Sequence, residues 1–258
     1  MVEHKGTIVV TGRGGTGKST FTTLMSRYFG ERGHQPLLLV DSDPDESLAE
    51  MIGIDLAKDN KRSIADVLSE ILEERKMATM TGMTPTEKIE PFLWQESLYE
   101  GRSFFDFIGI GTKWIEGCYC LPDRSLGQIM DMWGTNYEYV IVDSPAGVEH
   151  LNRRITKKVK EVFNILDPSK KSFDNAKRSY KIMREVGIQF DNYYLVGGFR
   201  FPESLEEEAN NQPFKFLGRI ELDPEITEYN IQGKSLLDIP ESSPAYQSVK
   251  KILAKVGY

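Results

Sequence analysis

Cysteine is nearly missing from this chain: Cys118 and Cys120 are the only two in 258 residues, which excludes a fold held together by several disulfides. Long apolar runs are missing too. None approaches the roughly 20 residues that a membrane-spanning helix needs, and the N-terminus passes from Met1-Val2-Glu3-His4-Lys5 into a short β-rich run without a secretory leader. A soluble protein of the cytoplasm is expected. Positive charge is in deficit, with 32 Lys and Arg against 39 Asp and Glu and a formal net charge of -7. Nucleic acid and stable membrane association are therefore not expected, although a local basic face is compatible with that total. Internal repeats and low-complexity tracts are absent. What remains is 40% hydrophobic and 28% charged, enough to bury a full core.

Strand-like and helical patterns alternate along the chain. Thr7 to Thr11 is a short β-rich run, and Ser19 to Arg32 carries helical spacing through Phe21, Leu24, Met25, Tyr28 and Phe29 until Gly33 stops it. Apolar runs recur at Leu37 to Val40, Phe104 to Ile110, Tyr139 to Val142, Val162 to Leu166 and Tyr193 to Val196, with a weaker one at Phe214 to Ile220. Helical patterns separate most of them. This predicts an α/β fold, a single domain over residues 1–258 whose mostly parallel central sheet is covered by helices on both faces. At about 59–103, one helical pattern (Ile64, Val67, Leu68, Ile71, Leu72) gives way to a stretch without clear period. That stretch is expected to be an insertion on the core and the place for client contacts.

Between the first strand and the first helix lies Gly12-Arg13-Gly14-Gly15-Thr16-Gly17-Lys18-Ser19, with Thr20 directly after it. Glycines let backbone N–H groups turn toward phosphates, the helix N-terminus adds partial positive charge, Lys18 reaches the β- and γ-phosphates, and the Ser19 hydroxyl suits Mg²⁺. The same letters contain Gly12-x-Gly14-x-x-Gly17, a dinucleotide fingerprint, with Asp41 near the place of a ribose-binding acid. Lys18-Ser19 and a second motif, Asp143-Ser144-Pro145-Ala146-Gly147, favour a nucleoside triphosphate. Asp143 ends a strand and is expected to face Mg²⁺, and the Gly147 N–H to sense the γ-phosphate. In Asp41-Ser42-Asp43-Pro44-Asp45, Asp43 is the candidate for orienting the attacking water. A turn and helix cap is the competing reading of that run.

The paired glycines in the loop, the basic residue after its first glycine, the Asp-x-Asp-Pro run and Val142-Asp143-Ser144-Pro145-Ala146-Gly147 together resemble the deviant Walker A ATPases. That group includes the nitrogenase iron protein and the division-site and chromosome-partitioning ATPases. The resemblance implies binding of ATP and ADP and a nucleotide-dependent homodimer, in which the basic residue reaches the partner's nucleotide; here it is Arg13, where most of the group has lysine. Cys118-Tyr119-Cys120, Ser125-Leu126-Gly127 and Gly147-Val148-Glu149-His150-Leu151 resemble one branch, the accessory ATPases of carbon monoxide dehydrogenase and acetyl-CoA synthase maturation (CooC type). That implies a metal shared through a Cys-x-Cys from each subunit, and ATP-supported nickel insertion into such a client enzyme. Thiolates suit Zn²⁺, Ni²⁺ or Cu(I), and four of them complete a tetrahedral site that one chain only half supplies. In an extended loop, cysteines two apart point to one side and can bite one ion, whereas on a helix they would diverge.

Other readings stay open. The cysteines also fit a redox dithiol or small buried residues, while the two well-separated cysteines of an iron-sulfur bridge are lacking. The alternative function is a nucleotide-switched positioning protein that binds membrane or DNA. Arg153, Arg154, Lys157, Lys158 and Lys160 are read as crowding one helix, as a solvated face before a DNA stripe. Val249, Ile252, Leu253 and Val256 are read as a packed terminal helix before a membrane anchor. Met77, Met80 and Met83 are read as packing or client contact before soft-metal ligands, and His150 as a helix residue. At the base end, Gly197-Gly198-Phe199-Arg200 departs from the asparagine usual in the family. Base contacts are therefore expected from backbone groups, Arg200 and the Leu222-Asp223-Pro224 loop.

Overall fold

The computed structural model describes residues 2–73, 85–102, 104–112, 120–147 and 158–258. Among them, eight strands form one sheet: β1 (Gly6–Gly12), β2 (Leu37–Asp41), β3 (Tyr99–Glu100), β4 (Phe105–Gly109), β5 (Tyr139–Asp143), β6 (Lys158–Leu166), β7 (Gln189–Gly197) and β8 (Lys215–Arg219). Their order is β3-β4-β2-β5-β1-β6-β7-β8. Every pairing is parallel except that of β3 with β4. This is the expected single-domain, mostly parallel α/β sheet.

Alternation along the strands divides the core in two. Leu38 and Val40 of β2 and Val9 of β1 belong to one cluster, whereas Leu37, Leu39, Ile8 and Val10 belong to the other. Side chains two apart share a face, so a wholly apolar strand serves both faces at once. Helices α1 (Lys18–Glu31), α2 (Ser47–Ile52), α8 (Pro224–Ile231) and α9 (Pro244–Ala254) cover one side through Phe21, Leu24, Phe29, Leu48, Ile226 and Val249. On the other lie α3 (Ile64–Glu73), α4 (Pro85–Ser97), α5 (Cys120–Trp133), α6 (Lys170–Glu185) and α7 (Glu206–Asn210). Truncating one of the fully buried side chains, Leu38→Ala for example, is worth about 2–5 kcal/mol.

Within the run at 59–103, described residues of α3 and α4 pack on the sheet. Ile64, Val67, Leu68 and Ile71 of α3 and Ile89 and Leu93 of α4 are buried in the first cluster. Pro91 inside α4 blurs its helical pattern, and β3, two residues long, is too short to leave a period. One expectation is corrected: Lys158 and Lys160 lie on β6, not on a helix, because β6 begins four residues before its apolar run. Arg153, Arg154, Lys157 and His150 lie outside the described residues, as do Met77, Met80 and Met83. The packed terminal helix is present, with Val249, Ile252 and Leu253 of α9 buried. Among the described residues, no helix is long and apolar enough to cross a membrane.

Candidate nucleotide site

The C-terminal ends of β1, β2 and β5 meet at one place, where open α/β sheets bind their ligands. The chain leaves β1 at Gly12, runs through Arg13 to Gly17, and enters α1 at Lys18. Gly17 has φ 94°, and a Cβ there would lie 2.9 Å from Phe199 Cδ1. Both the left-handed backbone and the close aromatic contact therefore require glycine. Thr16 Oγ1 donates to Arg13 O at 2.9 Å, closing the loop on itself. Thr22 Oγ1 donates to Lys18 O at 3.0 Å and Thr20 Oγ1 approaches Met51 Sδ at 3.7 Å, pinning the first turn of α1.

Two carboxylates lie next to each other beneath this loop. Asp41 and Asp143 are register partners on β2 and β5, 0% and 1% exposed. Asp41 accepts the N–H of Asp43 at 3.0 Å and of Leu48 at 2.9 Å, so it ties both ends of the acidic run to the sheet. Burial, then the neighbouring Asp143, pushes its pKa up. Burial also pushes Asp143 up to about 6, against the opposing pull of Ser19 and Lys18. Its Oδ2 has no hydrogen-bond partner among the described residues. Asp43 stands at the pocket wall and accepts the Asp45 N–H at 3.2 Å, so it takes part in the turn that competed with the catalytic reading. Gly147 N donates to Gly12 O at 3.3 Å, joining the two motifs.

A pocket of 470 Å³ opens from this centre, lined by Gly14, Gly15, Lys18, Ser19 and Thr20 at one end and by Phe199, Arg200, Leu222 and Asp223 at the other. Ile226, Thr227 and Asn230 of α8 also line it; no sequence signal pointed to them. Leu222 is 68% exposed, and the Arg200 guanidinium lies 5.5 Å from the Phe199 ring centroid. The Asp223 carboxylate at the pocket wall already has partners within the chain. Its Oδ1 accepts Glu225 N at 3.0 Å, and its Oδ2 accepts the Ser243 hydroxyl and, at 3.3 Å, Ala245 N. It caps α8 and binds that cap to the start of α9, leaving its carboxylate engaged.

Sequence reasoning missed the roles of two further residues. Asp41 is a second buried acid beside Asp143, and Asp167 pairs with Arg13, whose Nη1 lies 2.6 Å from Asp167 Oδ2 and 2.9 Å from Ser169 Oγ. Cys118 lies outside the described residues, and Cys120 is the first residue of α5. The described residues contain no group of three or more His, Cys, Asp or Glu placed to hold a metal ion.

Comparison with known proteins agrees with this geometry. An uncharacterized ATP-binding protein of Methanocaldococcus jannaschii is 32% identical over 252 residues, 96% of this chain and 97% of that one. The carbon monoxide dehydrogenase accessory protein CooC of Rhodospirillum rubrum is 24% identical over 258 residues, 97% of each chain. In fold, the chain is similar to the septum site-determining protein MinD of Pyrococcus horikoshii in complex with Mg-ADP, at a TM-score of 0.66 and 18% identity, covering 100% of this chain and 96% of that one. Residues 7–236 match the CobQ/CobB/MinD/ParA nucleotide binding domain. With its phosphate loop, paired strand-end acids and mostly parallel sheet, the chain belongs to that family of P-loop ATPases.

Proposed function

We propose that the protein is a homodimeric, Mg²⁺-dependent ATPase that converts ATP and water to ADP and phosphate and supports nickel insertion into a carbon monoxide dehydrogenase or acetyl-CoA synthase type client. The nucleotide half is carried by one observation: the buried Asp143 carboxylate, one oxygen without a partner among the described residues, beside Lys18 and Ser19. A hydroxyl and a carboxylate are the hard oxygen donors that suit Mg²⁺. Ser19 and Asp143 would hold it, and the ion would supply neutralisation of phosphate charge. Lys18 offsets charge on the transferred phosphoryl group, Asp43 orients water, and the backbone of Gly12 to Gly17, with Gly147, cradles the phosphates. Phe199, Arg200, Leu222 and the α8 residues receive the base. Arg13 acts across the dimer once it leaves Asp167.

The metal half is supported by the Cys118-Tyr119-Cys120 spacing and by likeness to CooC over 97% of both chains. Ni²⁺ or Zn²⁺ would be held by two thiolates from each protomer. The positioning or partitioning alternative rests on a likeness of fold. Its membrane form is disfavoured by α9, whose Val249, Ile252 and Leu253 are already used inside the protein. The deciding experiment measures metal per dimer in nucleotide-free, ADP and ATP-analogue states. One ion per two chains, lost in Cys118→Ser/Cys120→Ser, is expected. A metal content untouched by the double substitution overturns the shared-thiolate reading.

A further inference from the structure

Remote in sequence from the phosphate loop, a second cavity of 590 Å³ lies between α4 and β3. Trp94 lines it and is 42% exposed, although its neighbours Ile89 and Leu93 hold α4 to the core at 7% and 2% exposure. Behind it stands Trp133 of α5, 3% exposed, with ring centroids 4.7 Å apart and planes at 88°. The Trp133 indole N–H donates to Glu90 Oε1 at 3.1 Å. This bond fixes one wall: α5 holds the ring behind Trp94 and Glu90 together, so the aromatic surface is preorganised. Glu90 and Glu100 both line the cavity. The one cation lining it among the described residues, Lys61, donates its ammonium to Gln95 O at 2.8 Å, which turns it to the backbone and leaves the two carboxylates uncompensated by it.

An indole flanked by carboxylates has a defined complement. A tryptophan ring attracts a cation through its quadrupole, arginine more often than lysine, and the neighbouring acids add Coulomb attraction. Tryptophan also concentrates binding energy at protein interfaces, where burying one large rigid side chain costs little conformational freedom. We propose that this cavity docks a basic segment of a partner protein, with an arginine side chain seated against Trp94 between Glu90 and Glu100. β3 is the last strand of the sheet and only two residues long, so the cavity opens at an edge that an extended partner segment can approach. The inference is independent of the nucleotide and metal readings.

The test titrates tetra-arginine amide into the full-length protein by calorimetry at physiological salt, with tetra-citrulline as the neutral isostere. Saturable binding of tetra-arginine is expected, with Trp94→Ala weakening it about tenfold, Glu100→Gln weakening it about threefold, and tetra-citrulline silent. Trp94→Phe keeps a ring against Trp133 and is expected to fall between wild type and Trp94→Ala, so the comparison stands even if the alanine variant folds poorly. Equal affinity of wild type, Trp94→Phe and Glu100→Gln overturns the proposal by assigning the binding to the net negative charge of the chain. Equal binding of tetra-citrulline, or none of tetra-arginine, overturns it as well.

Discussion

The Arg13 guanidinium is held within its own chain, 2.6 Å from Asp167 and 2.9 Å from Ser169. The pair is partly open, with side chains 38% and 21% exposed, so its net value is at most about 1 kcal/mol. That is small enough for a phosphate to outcompete. Asp167→Ala removes the competitor and is expected to raise ATP-dependent self-association about two- to fivefold in sedimentation equilibrium. Arg13→Ala is expected to weaken it. An Asp167→Ala variant that associates more weakly than wild type would show that Asp167 supports the active arrangement instead of restraining Arg13.

Within the pocket, Lys18 and Asp43 are expected to separate kinetically. Lys18 lines the phosphate end of the pocket and is 7% exposed, so Lys18→Ala removes a buried cation from that end and should abolish measurable nucleotide binding. Asp43→Ala should leave the dissociation constant within a few-fold and lower kcat about a hundredfold, the loss typical of one positioned polar group in a transition state. Equilibrium binding beside single-turnover hydrolysis reads both. Unchanged kcat in Asp43→Ala would reassign Asp43 to the turn formed by its bond to Asp45.

How much of this was legible in the sequence follows from how local each feature is. The phosphate loop and strand-end Asp143 are contiguous motifs, and wholly apolar runs announced the buried strands. Arg13 and Asp167 are 154 positions apart, so no spacing rule links them. The sequence places Asp223 in a candidate base-binding loop; its partners Ser243 and Ala245 reach it only through tertiary folding. Asp41 looked like a ribose-binding acid or part of a turn, and only its burial beside Asp143 reveals it as the tether of the acidic run. The antiparallel β3 stayed hidden because two residues carry no alternation.

The buried acids also predict how stability depends on pH. Burial raises Asp143 to about 6 and raises Asp41 as well, whereas an unfolded aspartate titrates near ~3.9. Between those values the folded state binds more protons than the unfolded one, so stability of the nucleotide-free protein falls as pH rises. At pH 7 the loss from Asp143 is on the order of 1–3 kcal/mol. Asp143→Asn is expected to raise the melting temperature at pH 7 by a few degrees, to flatten the slope between pH 4 and 7, and to remove the response to Mg²⁺-nucleotide. Melting curves across that range check it; a variant that keeps the wild-type slope assigns the dependence to other groups.

Gly198 offers a purely steric handle on the site. A Cβ there would sit 2.1 Å from Thr16 O and 3.1 Å from Leu166 O. Those are backbone atoms, so nothing can rotate away; relief requires the loop after β7 to lift from the phosphate loop. Because Phe199 follows directly and rests against Gly17, the lift carries a wall of the pocket with it. Gly198→Ala is expected to cost about 1–3 kcal/mol, as overpacking of a close contact does, and to weaken nucleotide binding about tenfold even though residue 198 has no side chain to offer a ligand. Gly187→Ala is the control: Gly187 has a positive φ, 79°, but a Cβ there would meet nothing within 4 Å among the described residues. That variant should lose stability through backbone strain alone, with nucleotide affinity unchanged. If both variants weaken binding equally, lost stability and not displacement of the Phe199 wall accounts for the effect.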